Sequence, residues 1–106
     1  MPITDIETLE ELEQIIKGTE DLILVDFFAH WCGPCSMMNP VLERLATEHE
    51  NVIFLRVDVD KSTNIVKAYN IQSMPSFVFI RNSLKLEHLV ASNTEILEAR
   101  LKEYLF

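Results

Sequence analysis

Positive charge is scarce in this chain: nine lysines and arginines stand against seventeen aspartates and glutamates, for a net charge of −8. A surface of that sign repels phosphates, so no nucleic-acid partner is expected. Long apolar runs are missing as well. None approaches the roughly 20 residues of a membrane span, and no membrane partner is expected. The first residues, Met1-Pro2-Ile3-Thr4-Asp5-Ile6-Glu7, have neither the basic flank nor the apolar centre of a signal peptide. The last, Glu103-Tyr104-Leu105-Phe106, carry no retention tag of the Lys-Asp-Glu-Leu type. Together these absences predict a soluble, cytoplasmic protein. The acids at Glu7, Glu10, Glu11 and Glu13 read as a solvated helix face.

Cysteine and glycine are rarer still, with two of each. Both cysteines and one glycine fall within Trp31-Cys32-Gly33-Pro34-Cys35. In a cytosolic chain the thiol buffers keep most cysteine pairs reduced, so a structural staple is not the expected use. A bond between Cys32 and Cys35 would also close a very short loop, where the chain-entropy gain is smallest. The spacing therefore speaks for chemistry.

What is present suffices for one packed domain over residues 1–106. Hydrophobic residues make up 48% of the chain, and no repeat, linker or low-complexity stretch interrupts it. Ile3 and Ile6 suit a short edge strand. Thr8 with Glu11 forms a capping box for a helix whose apolar face is Leu9, Leu12, Ile15 and Ile16, ending near Gly18. Leu22 to Phe28 is apolar on both faces, as an inner strand covered by helices on each side would be. A helix from the Cys-Gly-Pro-Cys segment to about Glu48 follows, with Pro34 suited to its first turn and Pro40 expected to kink it. Val52 to Val59 reads as a strand, Asn64 to Tyr69 as a short helix and Phe77 to Ile80 as a third inner strand. Asn82-Ser83 reads as a hairpin turn without the glycine such turns favour, and Leu84 to Val90 as the returning strand. Ser92 with Glu95 offers a second capping box, for a helix from about Thr94 to Leu105 with Ile96, Leu97, Leu101, Tyr104 and Leu105 inward. The order β-α-β-α-β-α-β-β-α predicts an α/β protein with a central mixed sheet flanked by helices on both faces.

A CxxC where a strand passes into a helix is the setting of a thiol–disulfide redox pair. Residues three apart share a helix face, so dithiol and disulfide interconvert with little backbone movement. The two sulfurs differ. Cys32 falls at the helix start, where unpaired backbone N–H groups and the dipole favour a thiolate. Cys35 lies one turn in and should stay a neutral thiol until needed. Asp26 is the odd residue of its apolar strand; burial would favour its neutral form and raise its pKa. A carboxyl of that kind could take the proton of Cys35 when this thiol attacks.

Trp31-Cys32-Gly33-Pro34-Cys35, with Val25-Asp26-Phe27 before it and Met74-Pro75-Ser76 after it, resembles the thioredoxin family, and the likeness covers essentially the whole chain, element order included. The family is known for a CxxC thiol pKa near 7 and a potential near −270 mV. The resemblance implies the thioredoxin fold, with Cys32 as nucleophile, Cys35 as resolving thiol, Asp26 as buried proton acceptor and Gly33 and Pro34 as tuners of the potential. It also implies that Pro75 is a cis-proline facing the disulfide, with Met74 offering its backbone to an extended client. Trp31, Val59, Met74, Val90 and Ala91 then match the apolar rim. The function so implied is reduction of protein disulfides, with thioredoxin reductase and disulfide-containing clients as partners. No bound cofactor is expected, the redox group being the Cys32–Cys35 disulfide itself.

Some positions depart from the family. Arg56 stands where many members carry lysine; paired with Asp26, it would oppose a raised pKa, because arginine keeps its proton. Ala91 and Ser83 stand in place of glycines, and the Ala91 methyl would narrow the path of a client backbone. Phe28 replaces a tryptophan. The additional cysteines of some members are missing, so a monomer without redox-driven covalent dimers is expected.

His30 reads as a surface neighbour of the motif. A metal site on Cys32, Cys35 and His30 would need a fourth donor, and His49 and His88 lie in unrelated segments, so no metal is expected. Met37 and Met38 read as helix packing, with a client contact open for one of them; Phe54, Phe77 and Phe79 read as core. Two other functions compete. An oxidase or isomerase of the secretory pathway is disfavoured by Gly-Pro between the cysteines and by the missing targeting segment. A binding module that uses the fold as a scaffold, with incidental redox activity, is the alternative.

Overall fold

The computed structural model describes residues 2–105; Met1 and Phe106, the two ends of the expected domain, lie outside the described residues. The elements are β1 (Ile3–Ile6), α1 (Leu9–Lys17), β2 (Leu22–Phe28), α2 (Gly33–Glu48), β3 (Val52–Asp58), α3 (Thr63–Ala68), β4 (Ser76–Arg81), β5 (Leu84–Val90) and α4 (Thr94–Tyr104). They follow the expected order. The strands form one sheet in the order β1-β3-β2-β4-β5. β1, β3 and β2 run parallel, whereas β4 is antiparallel to β2 and β5 antiparallel to β4.

Side chains of a strand alternate between its two faces, and β2 shows why its sequence is apolar throughout. Leu22 and Leu24 pack with Leu42 and Leu45 of α2 and with Leu97 and Leu101 of α4. Ile23, Val25 and Phe27 pack on the opposite side with Leu12 of α1 and Ile65 of α3. Both faces are thus covered, and Asp26, two residues beyond Leu24 on the same face, is buried. Phe54, Phe77 and Phe79 are core residues as expected.

Local signals account for most boundaries. Thr8 accepts the Glu11 N–H at 3.1 Å while Glu11 accepts the Thr8 N–H at 3.0 Å, the reciprocal capping box expected. Gly18 closes α1 by donating to the carbonyls of Gln14 and Ile15. The helix α2 runs through Pro40 to Glu48. Asn82 and Ser83 have φ of 53° and 64°, so the hairpin is a two-residue turn with both central residues left-handed.

Three expectations are corrected. The cap of α4 is Asn93, not Ser92: the Asn93 side chain accepts the Ile96 N–H at 3.1 Å. Both residues can cap, but the side-chain oxygen of Asn93 is the one aligned with the free N–H three residues on. Ile96 is 43% exposed instead of inward, because the buried stripe of α4 runs through Leu97 and Leu101, one full turn apart. Met37 is also exposed while Met38 is core, so only Met38 serves helix packing.

Candidate active site

The short connection from β2 to α2 places the cysteines. Cys32 is the N-cap of α2, and its sulfur accepts the Cys35 N–H at 3.2 Å. This is one of the donors that a helix start leaves without an internal partner. Cys32 and Cys35 are joined by a disulfide across a Cα–Cα distance of 5.3 Å. Both are nearly buried in this closed state, so what distinguishes them is the amide pointed at Cys32 and not exposure. Pro34 occupies the first turn, where its missing N–H costs nothing. A Cβ built on Gly33 would meet nothing within 4 Å, so the glycine is not there to make room.

Asp26, on the strand β2 that leads into the cysteine segment, is only 3% exposed. Burial drives its pKa up to about 7, and the charge of Arg56 pulls the other way. Arg56 is the register partner of Asp26 on β3. Its Nε stands 3.6 Å from Asp26 Oδ2, an ion-pair distance too long for a hydrogen bond. The opposition expected from this arginine is therefore present, and desolvation outweighs it.

Two dissimilar depressions flank the disulfide. Pro34, Met74, Pro75, Val90, Ala91 and Ser92 line a shallow groove on one side, and the Met74–Pro75 peptide bond is cis. Met74 and Val59 also pack against the cluster of Ala29, Cys32 and Cys35. On the other side a polar pocket of about 370 Å³ reaches Cys35, Ser36, Asn39, Arg56 and Asp58. Of the rim expected from the sequence, Met74, Pro75, Val90 and Ala91 share the groove, Val59 packs against the cluster of Ala29, Cys32 and Cys35, and Trp31 stands outside, 69% exposed.

Trp31 is held by a residue just past the end of β3. Its Nε1–H donates to Asp60 Oδ2 at 3.0 Å. Asp60 N–H donates in turn to Asp58 Oδ1, and His30 Nε2 lies 3.3 Å from Asp58 Oδ2. Together with the Val59 N–H to Phe28 carbonyl bond of 2.9 Å, these contacts fasten the His30–Trp31 segment to the exit of β3. The signal was the pair of aspartates flanking Val59, one residue on each side.

With this geometry in place, the thioredoxin family model matches residues 4–103. The chain belongs to the thioredoxin family. It is 38% identical to a thioredoxin of Echinococcus granulosus over 91% of this chain and 85% of that protein. It is 36% identical to a peptide-N(4)-(N-acetyl-beta-glucosaminyl)asparagine amidase of Caenorhabditis elegans, covering 98% of this chain but only 18% of that much longer protein. Among solved structures, Fasciola hepatica thioredoxin superposes with a TM-score of 0.92 at 36% identity, covering 94% of this chain and 97% of that one. The fold is thus the thioredoxin fold, and the closed Cys32–Cys35 bond gives this thioredoxin-family domain the chemistry of thiol–disulfide exchange.

Proposed function

We propose that this domain is a protein-disulfide reductase working through Cys32 and Cys35. The Cys32 thiolate attacks one sulfur of a client disulfide, the client's other sulfur leaves as a thiolate, and a mixed disulfide links domain and client. Asp26 takes the proton of Cys35, whose thiolate attacks Cys32 Sγ. The second client sulfur leaves, and the Cys32–Cys35 bond closes. Two electrons have passed from the dithiol to the client. Return to the dithiol falls to a reductase of the thioredoxin-reductase kind, in a cytoplasmic monomer.

The observation that carries this reading is the sulfur of Cys32 capping α2 and accepting the Cys35 amide, since the same donor stabilises the thiolate after reduction. Asp26 suits its role because a carboxyl near pKa 7 exchanges protons readily at neutral pH. The polar pocket gives solvent a way to Cys35 and Arg56. The groove of Met74, Pro75, Val90 and Ala91 suits an extended client chain, and Gly33 and Pro34, between the cysteines in the first turn of α2, tune the potential. The same pair of cysteines would serve equally within a longer protein, and this chain matches only a small part of its amidase relative.

Insulin reduction with dithiothreitol tests it. Wild type should accelerate the reaction and Cys32→Ser should abolish the acceleration; equal rates would leave only a binding module. An equilibrium potential near the family's value of about −270 mV is expected, and one near −120 mV would mark an oxidant instead.

A further inference from the structure

Apart from Pro34 of α2, the groove is lined by two segments at one end of a single antiparallel pair. The Met74–Pro75 segment leads into β4, which begins at Ser76, while Val90 ends β5 and Ala91 follows it. Ser76 stands opposite Val90 in the ladder, so His88, two residues back, is its diagonal neighbour on the same face. Ser76 is fully buried, and a buried hydroxyl needs partners. Its proton goes to the Ser73 carbonyl, across the turn that carries Met74 and Pro75. With that proton committed, the hydroxyl oxygen accepts, and the half-buried His88 Nε2–H donates to it at 3.0 Å.

We propose that His88 and Ser76 are positioning residues for client docking: the chain from His88 to Ser76 to the Ser73 carbonyl ties the Met74–Pro75 wall of the groove to the β5 wall. The proposal rests on the reductase reading for its client, and concerns how that client's groove keeps its width. Neither side chain reaches the sulfurs, so the redox couple itself should not depend on them. Burial and the neighbouring Lys85 lower the His88 pKa, which keeps the ring neutral at neutral pH. The Ser76 hydroxyl supplies a side-chain bond that spans the turn from Ser73 to Ser76.

The test compares His88→Ala, His88→Gln and Ser76→Ala in insulin reduction. His88→Ala should raise KM about five-fold, the effect of one hydrogen bond, with kcat and the Cys32–Cys35 equilibrium potential unchanged. His88→Gln, whose amide nitrogen reaches the place of Nε2, should return KM to within about two-fold of wild type. Amide exchange at Ser73, Met74 and Ser76 should quicken in His88→Ala and not in His88→Gln. An unaltered KM in His88→Ala, a loss shared equally by the glutamine variant, or a moved potential would each overturn the proposal. Should wild type itself fail to reduce insulin, the reductase reading falls while the exchange rates still decide whether the tie exists. His88 is not core, so its variants are expected to fold even if Ser76→Ala does not.

Discussion

Two opposing influences meet on the carboxyl of Asp26, and their balance has consequences that can be measured. Burial disfavours the carboxylate more than Arg56 favours it, so the folded pKa lies near 7 against an ordinary 3.8. The unfolded chain therefore holds fewer protons than the folded one between about pH 4 and pH 7, and folding stability must fall as pH rises through that window. Asp26→Asn removes this penalty. Its stability gain in urea should be small at pH 4, grow to a few kcal/mol by pH 7 and level off above, about 4 kcal/mol being the ceiling. The same substitution should slow release of the reduced client more than formation of the mixed disulfide in stopped-flow traces; equal slowing would remove Asp26 from the proton transfer. Arg56→Met deletes the opposing charge, so the Asp26 carboxyl titration followed by NMR should move above 7. How much of this was legible in the sequence is instructive. An aspartate inside Leu22–Phe28 announces itself by interrupting an apolar run. Its arginine could only be suspected through the family, because the register of two parallel strands joined by a helix is not written in either strand.

Among the elements, the caps show where local spacing suffices and where it fails. Thr8 and Glu11 were readable because the T-x-x-E pattern and the reciprocal bonds are the same fact. At α4 two adjacent residues could both cap, and only the backbone path into the helix chooses Asn93. Asn93→Ala should cost about 1 kcal/mol in denaturant unfolding, with Ser92→Ala nearly silent. In the β4–β5 hairpin, Ser83 holds φ 64° without being glycine. Ser83→Gly relieves that conformation and should raise stability by about 1 kcal/mol, or the thermal midpoint by several degrees. A lowered midpoint would mean that the serine side chain contributes contacts the backbone argument omits. Long-range side-chain ties such as Trp31 to Asp60 and His88 to Ser76 escaped the sequence for one reason: each joins segments that only the sheet brings together.

For the molecule as a whole, the sheet order and the position of α2 put the disulfide between an apolar groove and a polar pocket. Substitutions on the two sides should act on different observables. Ala91→Gly widens the groove and should speed reduction of bulky protein disulfides while leaving the pH midpoint of resolution in place; Arg56→Met should shift that midpoint while sparing the preference among clients. A midpoint moved by Ala91→Gly would show that the two sides are not independent. The division has a further meaning for turnover. If a client lies along Met74 and Val90 as proposed, it covers none of the residues that line the polar pocket, so bulk solvent keeps that entrance beside Cys35 and Arg56. Electrons and protons can then travel by separate doors, and a bound substrate need not let go before the acid–base work behind it is done.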